Sequence, residues 1–310
     1  MDIRQIKIFK AVFDAGSIVG AAELERCAPS VIAHHLVNLE HRLGQTLFDR
    51  TSRGALPTVA GQQFHTHALA ILRAIDNAAS DMRDTQETLS GRVTIGLAFS
   101  AVYGVGLQLI NSMAERQPGV QLELAESVSG TSIDRLLAAD IDLALAYNPP
   151  RDSRLQLTAV LEEDMICLGK RDLVGDPATP MTLADFLTCK YVLTRKGARG
   201  RPTADDTDIQ KRLEHTASFF SENVSAAVLF VNSGSGVMLG TRSNLLQGAF
   251  DGDVIGREIT TPVITRSLFL CVRRDTPTTK SMAFTRELLI QLLKEEISSG
   301  RWHCRSLLAE

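Results

Sequence analysis

The chain has 310 residues, 44% of them hydrophobic and 22% charged, with a formal net charge of −3. That length exceeds one ordinary compact domain and fits two or three, and those fractions exclude wholesale disorder. A slightly acidic chain has no general electrostatic pull toward nucleic acid, so any such affinity must be local.

The five cysteines, Cys27, Cys167, Cys189, Cys271 and Cys304, are odd in number and widely scattered. They form no CxxC pair and no Cys/His ligand spacing, which argues against a zinc site or a disulfide framework and for buried free thiols. The opening MDIRQIKIFK has no apolar run before a cleavage site. No stretch reaches the roughly 18 apolar residues of a membrane span. The expectation is a cytoplasmic protein without membrane contact.

Residues 1–58 carry three short helical patterns. Ile3, Ile6, Phe9 and Phe13 recur at helical spacing. Gly16 stops that helix, and Ser17 can cap a second one rich in small residues, Gly20, Ala21 and Ala22. Pro29 suits the first position of a third helix, where Ile32, Leu36, Leu39 and Leu43 share a side. His34, His35, Asn38 and His41 are left facing outward. Leu47 and Phe48 then anchor the chain, and Thr51-Ser52-Arg53-Gly54 reads as a turn between two short strands. Three helices and a hairpin predict a winged helix-turn-helix.

Thr58 can cap a long helix predicted to run to about Leu89. Its Ala68, Leu72, Ile75, Ala79 and Met82 follow steps of four and three, a heptad seam that predicts pairing with a partner helix. A helix buried within one chain gives the same pattern. His65 and His67 lie two apart on this helix, on different faces, and make a poor metal pair.

From Gly91 strands and helices alternate: Val93–Phe99, Val105–Glu115, Val120–Glu126, Ile133–Ala139 and Ile141–Tyr147. This is a βαβ pattern, broken by Asn148-Pro149-Pro150 and followed by a second α/β unit. Two lobes are predicted, with crossings near Tyr147–Arg154 and Pro262–Arg266. Their ligand crevice belongs at the strand C-terminal ends. The domain expectation is 1–58 for the helix-turn-helix and 59–90 for the linker helix. The two-lobed domain takes 91–310, with lobe I about 91–150 and 266–300 and lobe II about 155–263.

At this point the sequence resembles the LysR-type transcriptional regulators. The carriers are Phe13-Asp14-Ala15-Gly16-Ser17, Leu39-Glu40-His41-Arg42-Leu43-Gly44 followed by Leu47-Phe48-Asp49-Arg50, then Arg53-Gly54, Pro57-Thr58-Val59-Ala60-Gly61 and Gly91-Arg92-Val93-Thr94-Ile95-Gly96. Ser129-Gly130, Asp142–Tyr147, Leu161-Glu162-Glu163 and Gly300-Arg301-Trp302 are similar to the family's nitrogen-assimilation-control branch. The resemblance covers essentially the whole chain. It implies an N-terminal all-α winged helix-turn-helix, a long linker helix, and a C-terminal α/β two-lobed effector domain of the periplasmic-binding-protein type. There are departures: Pro29 stands for a usual Gln, Ala33 for Ser, Val19 for Thr or Ser, and Glu25 for a core Leu. The family's operator preference therefore does not carry over.

An α-helix fits the major groove and reads base edges with its outward side chains. The DNA-binding candidates are Ser30, His34, His35 and Asn38 on the third helix, with Arg50 and Arg53 from the wing. A solvated helix face is the competing reading of each. Residues 1–58 hold seven Lys/Arg against six Asp/Glu, a balance of +1. Non-specific affinity should be modest and salt-sensitive, and dimerisation would compensate.

Effector-binding candidates are Ser100, Ser129, Gly130 and Thr131 in lobe I, and Thr194, Arg195 and Asn223 in lobe II. They follow strands at the starts of helices, where free N–H groups suit anions. A plain helix cap is the competing reading of the hydroxyls. Arg195, Lys196, Arg199 and Arg201 form a basic loop that favours an anion if it faces the crevice. No cofactor or metal is expected beyond this small-molecule effector. The expected partners are double-stranded DNA, the effector, further copies of the chain as a dimer or tetramer, and RNA polymerase.

Three other readings compete. No GxSxG elbow, P-loop or HExxH is present, which argues against an enzyme. A solute-binding protein would need an export signal. A regulator whose DNA specificity has shifted or degenerated would keep its dimer and ligand response without a sequence-specific footprint.

Overall fold

The computed structural model describes residues 1–51, 54–85, 88–194, 207–246 and 248–308, with backbone alone at 50, 51, 207 and 246. The chain divides into two compact units, Met1–Arg83 with Ala138–Asp140, and Asp84–Leu137 with Ile141–Glu310.

In the first unit α1 (Ile3–Ala15), α2 (Ile18–Leu24) and α3 (Pro29–Leu43) are followed by the hairpin β1 (Phe48–Thr51) and β2 (Gly54–Pro57), then α4 (Val59–Arg83). Each start has a local cause. Asp2 and Gln5 form a reciprocal capping box on α1, and the Ser17 hydroxyl accepts Gly20 N–H on α2. Pro29 opens α3, and Gly44 ends it in the left-handed conformation. The core joins Ile6, Phe9, Val12, Ala21, Ile32, Leu36, Leu39, Leu47 and Phe48. Leu43, placed on that face by its spacing, is 36% exposed.

Helix α4 ends at Arg83, before the predicted Leu89. Beyond Arg83, Thr85 N–H donates to Thr88 O, and Ser90 Oγ donates to the Asp84 carboxylate. Leu89 packs in the core of the second unit. The heptad positions do not share one environment. Ala68 and Leu72 pack in the core of their own unit, while Met82 is 81% exposed.

Lobe I of the second unit contains β3 (Gly91–Leu97), α5 (Phe99–Ala101), a π-helical turn (Val102–Gly106), α6 (Leu107–Arg116), β4 (Val120–Glu126), α7 (Ser129–Leu137) and β5 (Leu143–Tyr147). Thus the helix predicted from Val105 begins at Phe99. Strand β3 lies between β4 and β5, parallel to both. It is buried on both faces from Val93 to Leu97, as expected of a strand covered by helices on each side.

The chain crosses to lobe II inside β6 (Leu155–Lys170), not at the predicted Tyr147–Arg154. Residues Leu155–Asp164 of β6 pair with β12 (Thr265–Arg273), and Met165–Leu168 pair with β10 (Val237–Thr241). Sixteen consecutive extended residues serve both sheets, so no break in the sequence marks the crossing.

Lobe II adds α8 (Arg171–Val174), β7 (Met181–Thr182), α9 (Leu183–Thr188), β8 (Tyr191–Thr194), α10 (Thr207–Thr216), β9 (Phe219–Ser221), α11 (Val224–Asn232), β10, α12 (Arg242–Leu246) and β11 (Val254–Thr261). The return is made between β11 and β12, within the predicted stretch. Helix α13 (Lys280–Ser298) then covers lobe I, and β13 (Arg305–Ser306) pairs with Glu162 and Leu161 of β6. The last residues therefore belong to lobe I as well. The lobe I core gathers Ile95, Leu97, Leu145, Leu268, Leu289 and Trp302, and that of lobe II gathers Cys167, Phe186, Tyr191, Leu193, Leu213 and Val237.

Candidate nucleic-acid interface and effector crevice

Helix α3 buries Ile32, Leu36 and Leu39 and leaves Pro29, Ser30, His34, Val37 and Asn38 exposed. His35 is half-buried. Asn38 Nδ2 donates to His34 Nε2 at 3.0 Å, so these residues, one helical turn apart, form one polar unit. Ser30, His34 and Asn38 thus lie on an exposed helix face of the size a major groove accepts. Val37, with 49% of its surface exposed, adds an apolar group to this face that its residue type alone does not flag. The Arg50 backbone lies in β1, while its side chain and the whole of Arg53 fall outside the described residues.

The wing is held by backbone geometry. Ala55 N–H donates to Gly16 O at 2.8 Å, so β2 rests on the turn between α1 and α2. A Cβ on Gly54 would come within 2.3 Å of that same oxygen, which explains a glycine there.

In the second unit, strand register brings the parallel strand ends together. Tyr147 ends β5 opposite Leu268, which in turn lies opposite Leu161 of β6. Thr241 ends β10 opposite Met165 of β6. The C-terminal ends from both lobes therefore meet beside Leu161–Met165, where a two-lobed α/β domain forms its crevice.

Ser100 and Ser129 both engage Tyr147 there. Ser100 Oγ and Tyr147 Oη are 2.8 Å apart, and Ser129 Oγ accepts Tyr147 N–H at 2.9 Å. Ser100 is 2% exposed, Gly130 is buried, and Thr131 is half-buried at the start of α7. Thr194 ends β8 beside Ser221 of β9, a short strand that the sequence pattern does not predict. Asn223 is exposed, and its Oδ1 caps α11 by accepting Ala226 N–H at 2.8 Å. Arg195 and the rest of the basic loop lie outside the described residues.

The structure adds four residues that were not among the candidates in this role. Tyr147 Oη donates to Glu163 Oε2 at 2.6 Å. Arg266, the register partner of Glu163, donates to the same oxygen through Nε and Nη2 at 3.1 and 3.0 Å. Its guanidinium lies 3.8 Å from the Tyr147 ring centroid. Trp302 Nε1 donates to Glu163 Oε1 at 3.0 Å. Burial pushes the Tyr147 hydroxyl well above its ordinary range, so it stays a proton donor. The available signal was the acidic run Glu162-Glu163-Asp164 within the β6 sequence, and the chain's single tryptophan.

Two family descriptions match this chain. "Bacterial regulatory helix-turn-helix protein, lysR family" covers residues 3–62, and "LysR substrate binding domain" covers 86–295. The chain belongs to the LysR family. It is a DNA-binding transcription regulator with an effector-binding domain. The nitrogen assimilation regulatory protein nac of Klebsiella aerogenes is 29% identical over 305 residues, covering 97% of this chain and 98% of that protein. The nac protein of Escherichia coli K12 is 27% identical over 307 residues, with 97% and 98% covered. These support a place in the nitrogen-assimilation-control branch of the LysR family. The fold is shared with full-length CbnR solved with its target DNA, at TM-score 0.65 and 20% identity, covering 96% of this chain and all of that one. It is shared also with full-length OxyR from Pseudomonas aeruginosa, at TM-score 0.63 and 16% identity, covering 100% and 99%. Among the described residues no helix is long and apolar enough to cross a membrane.

Proposed function

We propose that this LysR regulator reads double-stranded DNA in a sequence-specific way through Ser30, His34, His35 and Asn38, with Arg50 and Arg53 on the adjacent backbone. It works as a dimer or tetramer in the cytoplasm, meets RNA polymerase at its promoters, and catalyses no reaction. Its domains are the helix-turn-helix to residue 58, the linker helix to about 83, and the effector domain beyond.

The effector is a small anion held between the lobes. The observation that carries this reading is the meeting of strand C-terminal ends from both lobes beside Leu161–Met165. Ser129, Gly130 and Thr131 supply the lobe I side, Thr194 and Arg195 the lobe II side, with Asn223 at the rim and Ser100 acting through Tyr147. The basic sequence Arg195–Arg201 supports the negative charge of the ligand. An effector that fits one closure angle better shifts the lobes toward it, and only by its differential affinity for the two states.

The test is thermal unfolding of the full-length protein against a panel of small carboxylates and phosphates. At least one should raise the midpoint, and Thr131→Ala and Ser129→Ala should weaken its binding about tenfold, roughly 1.4 kcal/mol. Full retention of affinity in both variants removes the crevice assignment. Stabilisation by none of these anions removes the anionic effector.

A further inference from the structure

We propose that Glu163 is a positioning residue that links the effector crevice to the C-terminal segment, so that a change at the crevice floor is felt at Trp302.

Three donors converge on this one carboxylate from separate parts of the chain: Tyr147 at the end of β5, Arg266 in β12, and Trp302 in the tail. The Glu163 side chain has no exposed surface. A carboxylate so buried is tolerated only where donors replace its lost water. Losing one donor forces the others to rearrange, because no solvent can take its place.

The direction of the hydrogen bonds is fixed by proton counting. The single Tyr147 hydroxyl proton goes to Glu163. The proton between Ser100 and Tyr147 must then be that of Ser100. Ser100 donates to Tyr147, Tyr147 to Glu163, and Trp302 to Glu163 from the other side. A group entering the crevice that competes for either hydroxyl changes what Glu163 receives.

The tail is placed to pass that change on. Trp302 is 2% exposed and sits against Gly104, where a Cβ would come within 2.5 Å of the indole. The next residue, His303, donates its backbone N–H to Ser243 Oγ in lobe II at 3.0 Å. Arg305 and Ser306 then pair with Glu162 and Leu161 on the crossing strand. Within five residues the tail touches the lobe I core, lobe II and the strand that joins them.

The link rests on the crevice reading only for what would perturb it, and its test needs no ligand. With one tryptophan in the chain, 5-fluorotryptophan labelling of the full-length protein gives one fluorine resonance from position 302. Tyr147→Phe, which leaves the other two donors in place, should move that resonance by more than its linewidth. Gly104→Ala, which crowds the indole directly, should move it as well. Tyr191→Phe removes a buried hydroxyl bonded to Leu213 O in lobe II and should leave it unmoved. Glu163→Gln should shift it too, and should that variant fail to fold, Tyr147→Phe decides alone. A Tyr147→Phe resonance coincident with wild type, while Gly104→Ala shifts, overturns the proposal. Equal shifts in Tyr147→Phe and Tyr191→Phe overturn it too, since the effect would then be general loosening. Failure of the anion panel with a shifted Tyr147→Phe signal rejects the effector reading and leaves the link standing.

Discussion

The Glu40 carboxylate accepts the backbone N–H of Leu47 at 2.7 Å, and that of Phe48 at 3.3 Å. Helix α3 has already ended at Gly44, so this side chain ties α3 to the first strand of the hairpin. Removing it leaves two backbone donors without their charged acceptor. Glu40→Ala should lower the stability of the first unit by about 1.5–3 kcal/mol, the range for hydrogen bonds to charged groups. Urea unfolding checks this; an unchanged midpoint would mean that water replaces the carboxylate without cost.

Leu47 also explains Gly61. A Cβ on Gly61 would lie 2.1 Å from Leu47 O, while Thr58 N–H donates to that oxygen and the Thr58 hydroxyl caps Gly61 N–H. Gly61→Ala should therefore cost roughly 1–3 kcal/mol as an overpacking change. The effector domain should unfold as before. A variant as stable as wild type would show that α4 can shift at its start.

His65 stacks on Phe13, with ring centroids 3.8 Å apart and planes 10° from parallel. Burial lowers its pKa below 6.5, and Asp14 opposes that effect. The unfolded chain therefore binds this proton more readily than the folded one. Stability should fall as the pH drops below about 6.5 toward the lower folded value, and no change from this group is expected above that window. Comparing melting temperatures at pH 7.5 and 5.5, His65→Phe should lose less than wild type. Identical losses would assign the acid sensitivity elsewhere.

His34 and Asn38 should be separable from stability because both are exposed. Asn38→Ala and His34→Ala should each leave the melting temperature within about 0.5 kcal/mol equivalent. Each truncation should weaken operator binding by about 1–3 kcal/mol, the scale of one good hydrogen-bonded pairing with a base edge. Fluorescence anisotropy at fixed salt, on operator and scrambled duplexes, separates the two effects. Equal weakening on both duplexes would show that these residues touch the phosphate backbone instead.

How much of the molecule is legible in its sequence depends on how local each cause is. The caps at Ser17, Pro29 and Thr58 act within one turn of their own residue and are legible. The α/β alternation is legible for the same reason. The linker helix is predicted six residues too long because its seam, whose last member is Met82, is extended to the next apolar residue, Leu89, across the polar Asp84–Thr88, and the bond from Ser90 to Asp84 beyond its true end leaves no periodic mark. The lobe crossing is misplaced at Asn148-Pro149-Pro150, since the true crossing in β6 has no breaker. Glu163 shows in the sequence only as part of a motif, because its partners lie 16, 103 and 139 residues away. The short β9 and the tail strand β13 follow from pairing with distant partners, which no local pattern records.

Recognition of a particular DNA sequence by the exposed face of α3 is open to a direct test by footprinting. The purified full-length protein is bound to its own upstream intergenic region at fixed moderate salt with competitor DNA. A protected region with dyad symmetry is expected, and the Asn38→Ala and His34→Ala proteins should need a higher concentration to give it, in line with a loss of about 1–3 kcal/mol. No protection by a folded, dimeric protein, there or at any site it occupies across the genome, would contradict it.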